Sequence, residues 1–216
     1  AESSRHIVIT TCPEPAALEN LAAREVRRYL YLRTGRLLPI VRTLPRLPRA
    51  KAVISVGQKG SPAVSTLVAG DRGLSALVDS LGPQQYLLKT ISRNDRPTLL
   101  IIGGDELGTL YGSYRFAEHL GVRFYLHGDV IPEQRIDPEI PRLNETGRPL
   151  FETRGIQPFH DFPEGPDWWN TDDYKAILAQ LAKLRMNFLG LHTYPQGGVG
   201  PEPTVWIGAP GEFNHD

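Results

Sequence analysis

Apolar and polar positions follow two different periods along this chain. Ile7-Val8-Ile9-Thr10-Thr11 is a β-branched run ended by Cys12-Pro13, the pattern of a short buried strand. Over residues 15–34 the period lengthens to that of a helix. Leu18, Leu21, Ala22, Val26, Tyr29 and Leu30 make one apolar stripe, and Gly35 is placed to cap its end. Arg24, Arg27 and Arg28, with Arg33 and Arg36, read as a solvated face. Residues 52–57 predict a second strand. Ser61-Pro62 opens a short helix reaching about Ala69. Residues 86–90 and 98–102 predict a hairpin around Asn94-Asp95-Arg96-Pro97. Gly103-Gly104-Asp105 leads into a helix through His119 with Leu107, Leu110, Tyr111, Tyr114 and Ala117 on its apolar face. Gly121 closes that helix, Val122 supplies the hydrophobic contact of the cap, and a strand over 122–126 follows. The pattern is β-α-β-α-β-β-α-β, an α/β layer domain over residues 1–130.

Residues 131–150 break both periods. Pro132, Pro138, Pro141 and Pro149 with interspersed charges predict a linker. Regular patterning resumes over 151–216. A strand is expected over 153–159, then a loop over 160–170 carrying Phe162, Trp168 and Trp169. Thr171 is expected to cap a helix over 172–186, with Tyr174, Ile177, Leu178, Leu181 and Leu184 as its core stripe. Asp172 and Asp173 at its start and Lys183 and Arg185 at its end suit the helix dipole. Residues 188–192 predict the next strand. A strand, a helix and a strand in this span form a βαβ unit with parallel strands.

Composition narrows the partners. Lys and Arg total 24 and Asp and Glu total 24, so the net charge is zero. That balance gives no electrostatic reason to expect nucleic acid or an anionic membrane. No apolar run approaches the roughly 20 residues of a spanning helix. The single cysteine, Cys12, excludes an internal disulfide and reads as a buried structural thiol. The start Ala1-Glu2-Ser3-Ser4 is compatible with a mature form after signal cleavage or with an excised segment. Asn144-Glu145-Thr146 fits a glycosylation sequon and is read as a chance occurrence.

Functional groups of parallel α/β units collect past the carboxyl ends of the strands. There the sequence places His160-Asp161 and His192-Thr193-Tyr194, each followed by an aromatic loop. Trp168, Trp169 and Trp206 are all the tryptophans of the chain. Aromatic faces pack on the apolar faces of sugars, while Asp, His and Arg exchange hydrogen bonds with hydroxyls. The same aromatics could fill a domain interface or a barrel floor. The His and Asp spacing matches no closed zinc pattern, so neither metal nor cofactor is expected. Gly103-Gly104-Asp105-Glu106 joins a strand to a helix as a phosphate loop does. Its acids would repel phosphate, and a tight turn with a helix cap is the reading.

The stretch Ile101-Ile102-Gly103-Gly104-Asp105-Glu106-Leu107-Gly108-Thr109-Leu110-Tyr111-Gly112-Ser113-Tyr114, followed by Leu120-Gly121-Val122-Arg123-Phe124-Tyr125, resembles the α/β domain that precedes the catalytic barrel in several exo-glycosidase families. These are the family 20 β-hexosaminidases, the family 67 α-glucuronidases and the α-N-acetylglucosaminidases. Phe151-Glu152-Thr153-Arg154-Gly155 resembles the opening of their barrel, and the segment through Leu184-Arg185-Met186-Asn187-Phe188-Leu189 their first barrel helix and second strand. Gln157-Pro158-Phe159 departs from the hexosaminidase pattern, Leu-Asp-x-Ser/Ala-Arg.

The resemblance implies a hexosaminidase domain-2-like α/β domain, then the first βαβ of a (β/α)8 barrel. A complete barrel needs about 250 residues, more than the 216 present. It implies a glycoside hydrolase acting on glycans, with Arg154 on substrate hydroxyls and His160, Asp161, Trp168, Trp169 and His192 lining part of the sugar site. The catalytic carboxylates of those families come later in the barrel, so Asp161 and Glu164 are not assigned as the acid. Secretion to the extracellular space or periplasm follows from the polysaccharide substrate. A non-catalytic carbohydrate-binding or interaction protein and a metal-dependent barrel hydrolase are the competing expectations.

Overall fold

The computed structural model describes residues 7–42, 50–158, 165–166 and 169–190. The chain divides into two compact units, Ala1–Phe124 with Asp129–Leu150, and Tyr125–Gly128 with Phe151–Asp216.

The first unit is a mixed six-stranded sheet with helices on both faces. Its elements are β1 (Ile7–Thr11), α1 (Ala17–Thr34), β2 (Ile40–Arg42), β3 (Ala52–Gln58), α2 (Pro62–Val68), α3 (Arg72–Asp79), β4 (Tyr86–Arg93), β5 (Arg96–Gly103), α4 (Glu106–His119) and β8 (Asn144–Gly147). Strand order is β2-β1-β3-β5-β4-β8. β2, β1, β3 and β5 run parallel, and β4 is antiparallel to both β5 and β8. Successive residues of β5 point to opposite faces. Leu100 and Ile102 pack with Val64, Leu67, Leu74, Val78 and Leu87 under α2 and α3. On the other face Ile101 lies under Gly112 of α4, where a Cβ would come within 3.2 Å of it. Both faces are covered, so Leu99, Leu100, Ile101 and Ile102 are all fully buried.

Local chemistry accounts for most boundaries. Gly35 ends α1 at φ +71°, in the left-handed region glycine favours. Ser61, Asp71 and Asp105 cap α2, α3 and α4, each side chain accepting from an amide three residues on. Asn94 and Asp95 both have positive φ, and Arg93 pairs with Arg96. The hairpin is therefore a two-residue turn, and its strands run three residues longer on the β4 side than the apolar pattern predicts. Pro97 is tolerated in β5 because pairing with β3 begins only at Thr98. Gly121 and Val122 close α4 with amide bonds back to Glu118 and Ala117, and Val122 is buried.

The structure adds β2, α3, β7 (Gly128–Val130) and β8 to the predicted pattern. β8 falls inside the segment read as a linker and adds an edge strand to the sheet. The strand expected over 122–126 shortens to β6 (Arg123–Tyr125) and pairs with β7, apart from the main sheet. The reading of Arg33 as solvated is corrected: it is 4 % exposed and donates to the carbonyls of Leu120, Pro132 and Gln134. Those bonds tie the 132–134 segment and the end of α4 to α1.

The second unit contains β9 (Gly155–Ile156), α5 (Thr171–Lys183) and β10 (Phe188–Leu189). β9 and β10 are parallel, Gly155 opposite Phe188 and Ile156 opposite Leu189. Asn170, not Thr171, caps α5. Its side chain accepts from the amides of Asp172 and Asp173, and Asp173 accepts from the Asn170 amide. Leu181 is buried, but Leu178 is 49 % exposed and Phe188 46 %. Among the described residues no helix is long and apolar enough to cross a membrane.

Candidate functional site

The parallel pair β9 and β10 sets the geometry of the candidate site. Phe188 donates its amide to the Arg154 carbonyl and Gly190 to the Ile156 carbonyl. Gly155 is required there because an added Cβ would collide with the Phe188 carbonyl oxygen. Asn187 stitches the two strand entries. Its Oδ1 accepts from the Arg154 amide at 2.9 Å, and its Nδ2 donates to the Glu152 carbonyl at 2.9 Å. Parallel pairing brings both carboxyl ends, Ile156 and Leu189, to one edge. The chain continues from that edge into 157–164 and 190–216. His160, Asp161 and His192 belong to these continuations and lie outside the described residues, as does Trp168.

Arg154 sits at the opposite, amino end of β9, and its fork is engaged with main chain. Nε and Nη2 both donate to the Arg185 carbonyl, at 2.9 and 2.7 Å. Nη1 donates to the carbonyls of Phe151 and Glu152. Arg185 follows the last turn of α5 at φ +61°, and the Met186 amide reaches back to the Leu181 carbonyl. That is a helix stop normally built on glycine. A cation placed there meets carbonyls left over at the negative end of the helix dipole.

Trp169 is positioned by α5. Its ring meets Tyr174 edge-to-face, with centroids 5.4 Å apart and planes at 74°. The Tyr174 hydroxyl and the Trp169 amide both donate to the Pro166 carbonyl, at 3.1 and 3.2 Å. The helical period marks Tyr174 only as a core residue. Its place in the first turn of α5, five residues after Trp169, was the signal for this contact. Of the expected sugar-site residues, then, Arg154 and Trp169 are described, and they serve different ends of the unit.

The two acids in the first turn of α5 have local roles. Asp173 caps α5, and Asp172 forms an exposed pair with Lys175 at 3.4 Å. Among the described residues no group of three His, Cys, Asp or Glu could hold a metal ion.

The first unit offers no open phosphate loop at the Gly103-Gly104-Asp105 turn. Asp105 Oδ1 accepts from the amides of Gly108 and Gln84, at 2.6 and 3.0 Å. A Cβ on Gly104 would collide with the Gly82 carbonyl oxygen, so the 82–85 loop packs directly on the turn. Glu106 accepts from the Leu18 amide and so caps α1 as well. Cys12 is buried; burial, then Glu19, pushes its thiol above the usual range, away from a thiolate.

Two charge clusters lie elsewhere in that unit. Arg115 donates Nε and Nη2 to the two oxygens of Glu145, at 2.7 and 3.3 Å, and His119 Nε2 lies 2.8 Å from Oε2. Partial burial pushes the Glu145 carboxyl up, but the hydrogen bonds from Arg115 and His119 outweigh it and hold the group below the usual range. Tyr29 donates to Asp129 at 2.8 Å, and Arg28 lies between Glu25 and Asp129, at 3.5 and 4.0 Å. A cavity of ≈ 640 Å³ is lined by Ile7, Leu38 and Ala52 together with charged residues of both signs, among them Arg36, Lys51, Asp95 and Glu139.

No family model matches the chain, and no curated protein is similar to it in sequence.

Proposed function

We propose that the chain is the N-terminal part of a glycoside hydrolase, hydrolysing O-glycosyl bonds of glycans or oligosaccharides with hexosaminidase- or glucuronidase-like chemistry. The first unit is its accessory α/β domain, and β9-α5-β10 opens its (β/α)8 barrel. The observation that carries this reading is the parallel pairing of β9 and β10 across α5. It sets the carboxyl ends Ile156 and Leu189 side by side, and His160-Asp161 and His192 follow them in sequence; barrels keep their sites past such strand ends. The half-exposed Leu178 and Phe188 fit the start of a barrel whose next strands and helices cover them. Trp169, with Trp168, offers aromatic faces to a pyranose, and His160, Asp161 and His192 offer hydrogen bonds to its hydroxyls. Arg154 serves as a positioning residue, holding the turn that aims β10. The substrate, a polysaccharide, places the protein in the extracellular space or periplasm.

The test is calorimetric titration of the chain with chitotriose, cellotriose and a glucuronosyl-xylobiose, beside the Trp169→Ala variant. The reading expects binding of at least one sugar, and a weaker affinity once the ring that packs on its apolar face is removed. Absence of binding by all three would overturn it.

A further inference from the structure

The segment between β9 and α5 carries His160, Asp161, Trp168 and Trp169, and α5 anchors its returning end. Asn170 caps the helix, so Trp169 stands just before the cap and Tyr174 in the fourth helical position. An apolar residue before the cap that packs on the fourth helical residue is a hydrophobic staple, which fixes the angle at which the chain enters the helix. Here both staple residues are aromatic, and their rings meet edge-to-face with centroids 5.4 Å apart.

The staple has a second attachment. The Tyr174 hydroxyl donates to the Pro166 carbonyl at 3.1 Å, and the Trp169 amide donates to the same oxygen at 3.2 Å. Pro166 is buried. Tyr174 therefore reaches the loop at two points, the Trp169 ring and the main chain three residues before it. The capping box fixes the residue that follows Trp169. Asn170 Oδ1 accepts from the amides of Asp172 and Asp173 at 2.8 and 3.2 Å, and Asp173 accepts from the Asn170 amide at 2.9 Å. A staple needs only apolar contact. The hydroxyl bond to Pro166 lies outside the helix, so it orients the loop and not α5. With entry angle, main chain and ring edge held, the half-buried Trp169 indole has little rotamer freedom left to lose when a ligand binds.

We propose that Tyr174 is a positioning residue of the sugar site, aiming the Trp169 ring through the staple and the loop through Pro166. The inference rests on the glycan reading, in which Trp169 packs on a sugar, and adds the residue that orients it. Tyr174 acts through Trp169 and not on the sugar itself.

The experiment is a double-mutant cycle read by calorimetric titration with chitotriose, cellotriose and a glucuronosyl-xylobiose. It compares wild type, Tyr174→Phe, Trp169→Ala and the double variant, with thermal unfolding of each as the control for folding. Tyr174→Phe keeps the ring contact and removes only the hydroxyl bond. It should bind roughly 2- to 10-fold more weakly than wild type, the scale of one net hydrogen bond. In the Trp169→Ala background the same change should leave the affinity unaltered, because the group that Tyr174 aims is gone. Should Trp169→Ala bind too weakly to titrate, Trp169→Phe takes its place, and the effect of Tyr174→Phe should shrink there. Tyr174→Leu, which removes ring and hydroxyl together, should weaken binding more than Tyr174→Phe. Unchanged affinity in Tyr174→Phe, or an equal loss in both backgrounds, would overturn the positioning role and leave the glycan reading standing. No sugar bound by wild type would overturn both.

Discussion

Arginine side chains clamp main-chain turns in several places of this fold. Arg33, Arg93, Arg123 and Arg154 all donate to main-chain carbonyls at helix ends or turns. An off-stripe arginine reads as solvated because periodicity reports the path of the helix and not the loops that return to it. Arg33 meets residues 132–134, about a hundred positions away, and no local signal announces that. Arg154→Ala should destabilise the second unit by about 1–3 kcal/mol, since it strands the Arg185 carbonyl that Nε and Nη2 now satisfy. Arg154→Lys should not restore it, because one ammonium cannot reproduce the fork. Thermal unfolding of both variants checks this. A variant of normal stability that has lost sugar binding would instead return Arg154 to the substrate. Glu145 gives a pH prediction. Its folded carboxyl titrates below the ordinary 4.5, so its contribution is present above that value and is lost as pH falls through the lowered one. Glu145→Gln should cost roughly 1 kcal/mol at pH 7, discounted because the pair is partly exposed, and should flatten the stability profile below pH 5. Melting temperatures over pH 3–7 would show it.

At the scale of elements, those with strong apolar runs or glycine punctuation were legible. β1, α1, β3, the β4–β5 hairpin and α4 follow from side-chain period, and the closures of α1 and α4 from Gly35 and Gly121. β2 was not, because three residues set no period. β8 was not, because Asn144-Glu145-Thr146-Gly147 is a polar edge strand whose place is fixed by its partner β4. Gly147 faces the Tyr86 ring, with no room for a Cβ. Gly147→Ala should therefore detach or distort this edge and cost about 1–3 kcal/mol. Gly104→Ala should cost more, because its obstacle is the backbone of the 82–85 loop. Denaturant unfolding that ranks the two variants in the reverse order would refute the packing argument. α3 carried a readable signal in Asp71 followed by Leu74, Leu77, Val78 and Leu81. Its shortness and Gly73 masked it. The helix stop at Arg185 was hidden for the opposite reason: a residue other than glycine holds the left-handed position, and the clamp from Arg154 that accompanies it is nonlocal.

For the whole molecule, α/β layering was accessible from alternating elements, and the parallel β9-α5-β10 unit from the change of period around α5. Of the candidate site, the sequence indicated Trp169 but not its Tyr174 support. The neutral overall charge gives no electrostatic signal of a charged partner, so it does not narrow the proposed ligand further. The proposed function requires that the protein cleave glycosidic bonds. Its direct test is release of nitrophenol from the nitrophenyl glycosides of glucuronic acid and N-acetylhexosamines by the product of the complete reading frame, with and without chelator. The account predicts hydrolysis of at least one glycoside, unaffected by chelator. Chelator-sensitive hydrolysis would move the protein to the metal-dependent barrel hydrolases, and no hydrolysis of any sugar would contradict the enzyme outright.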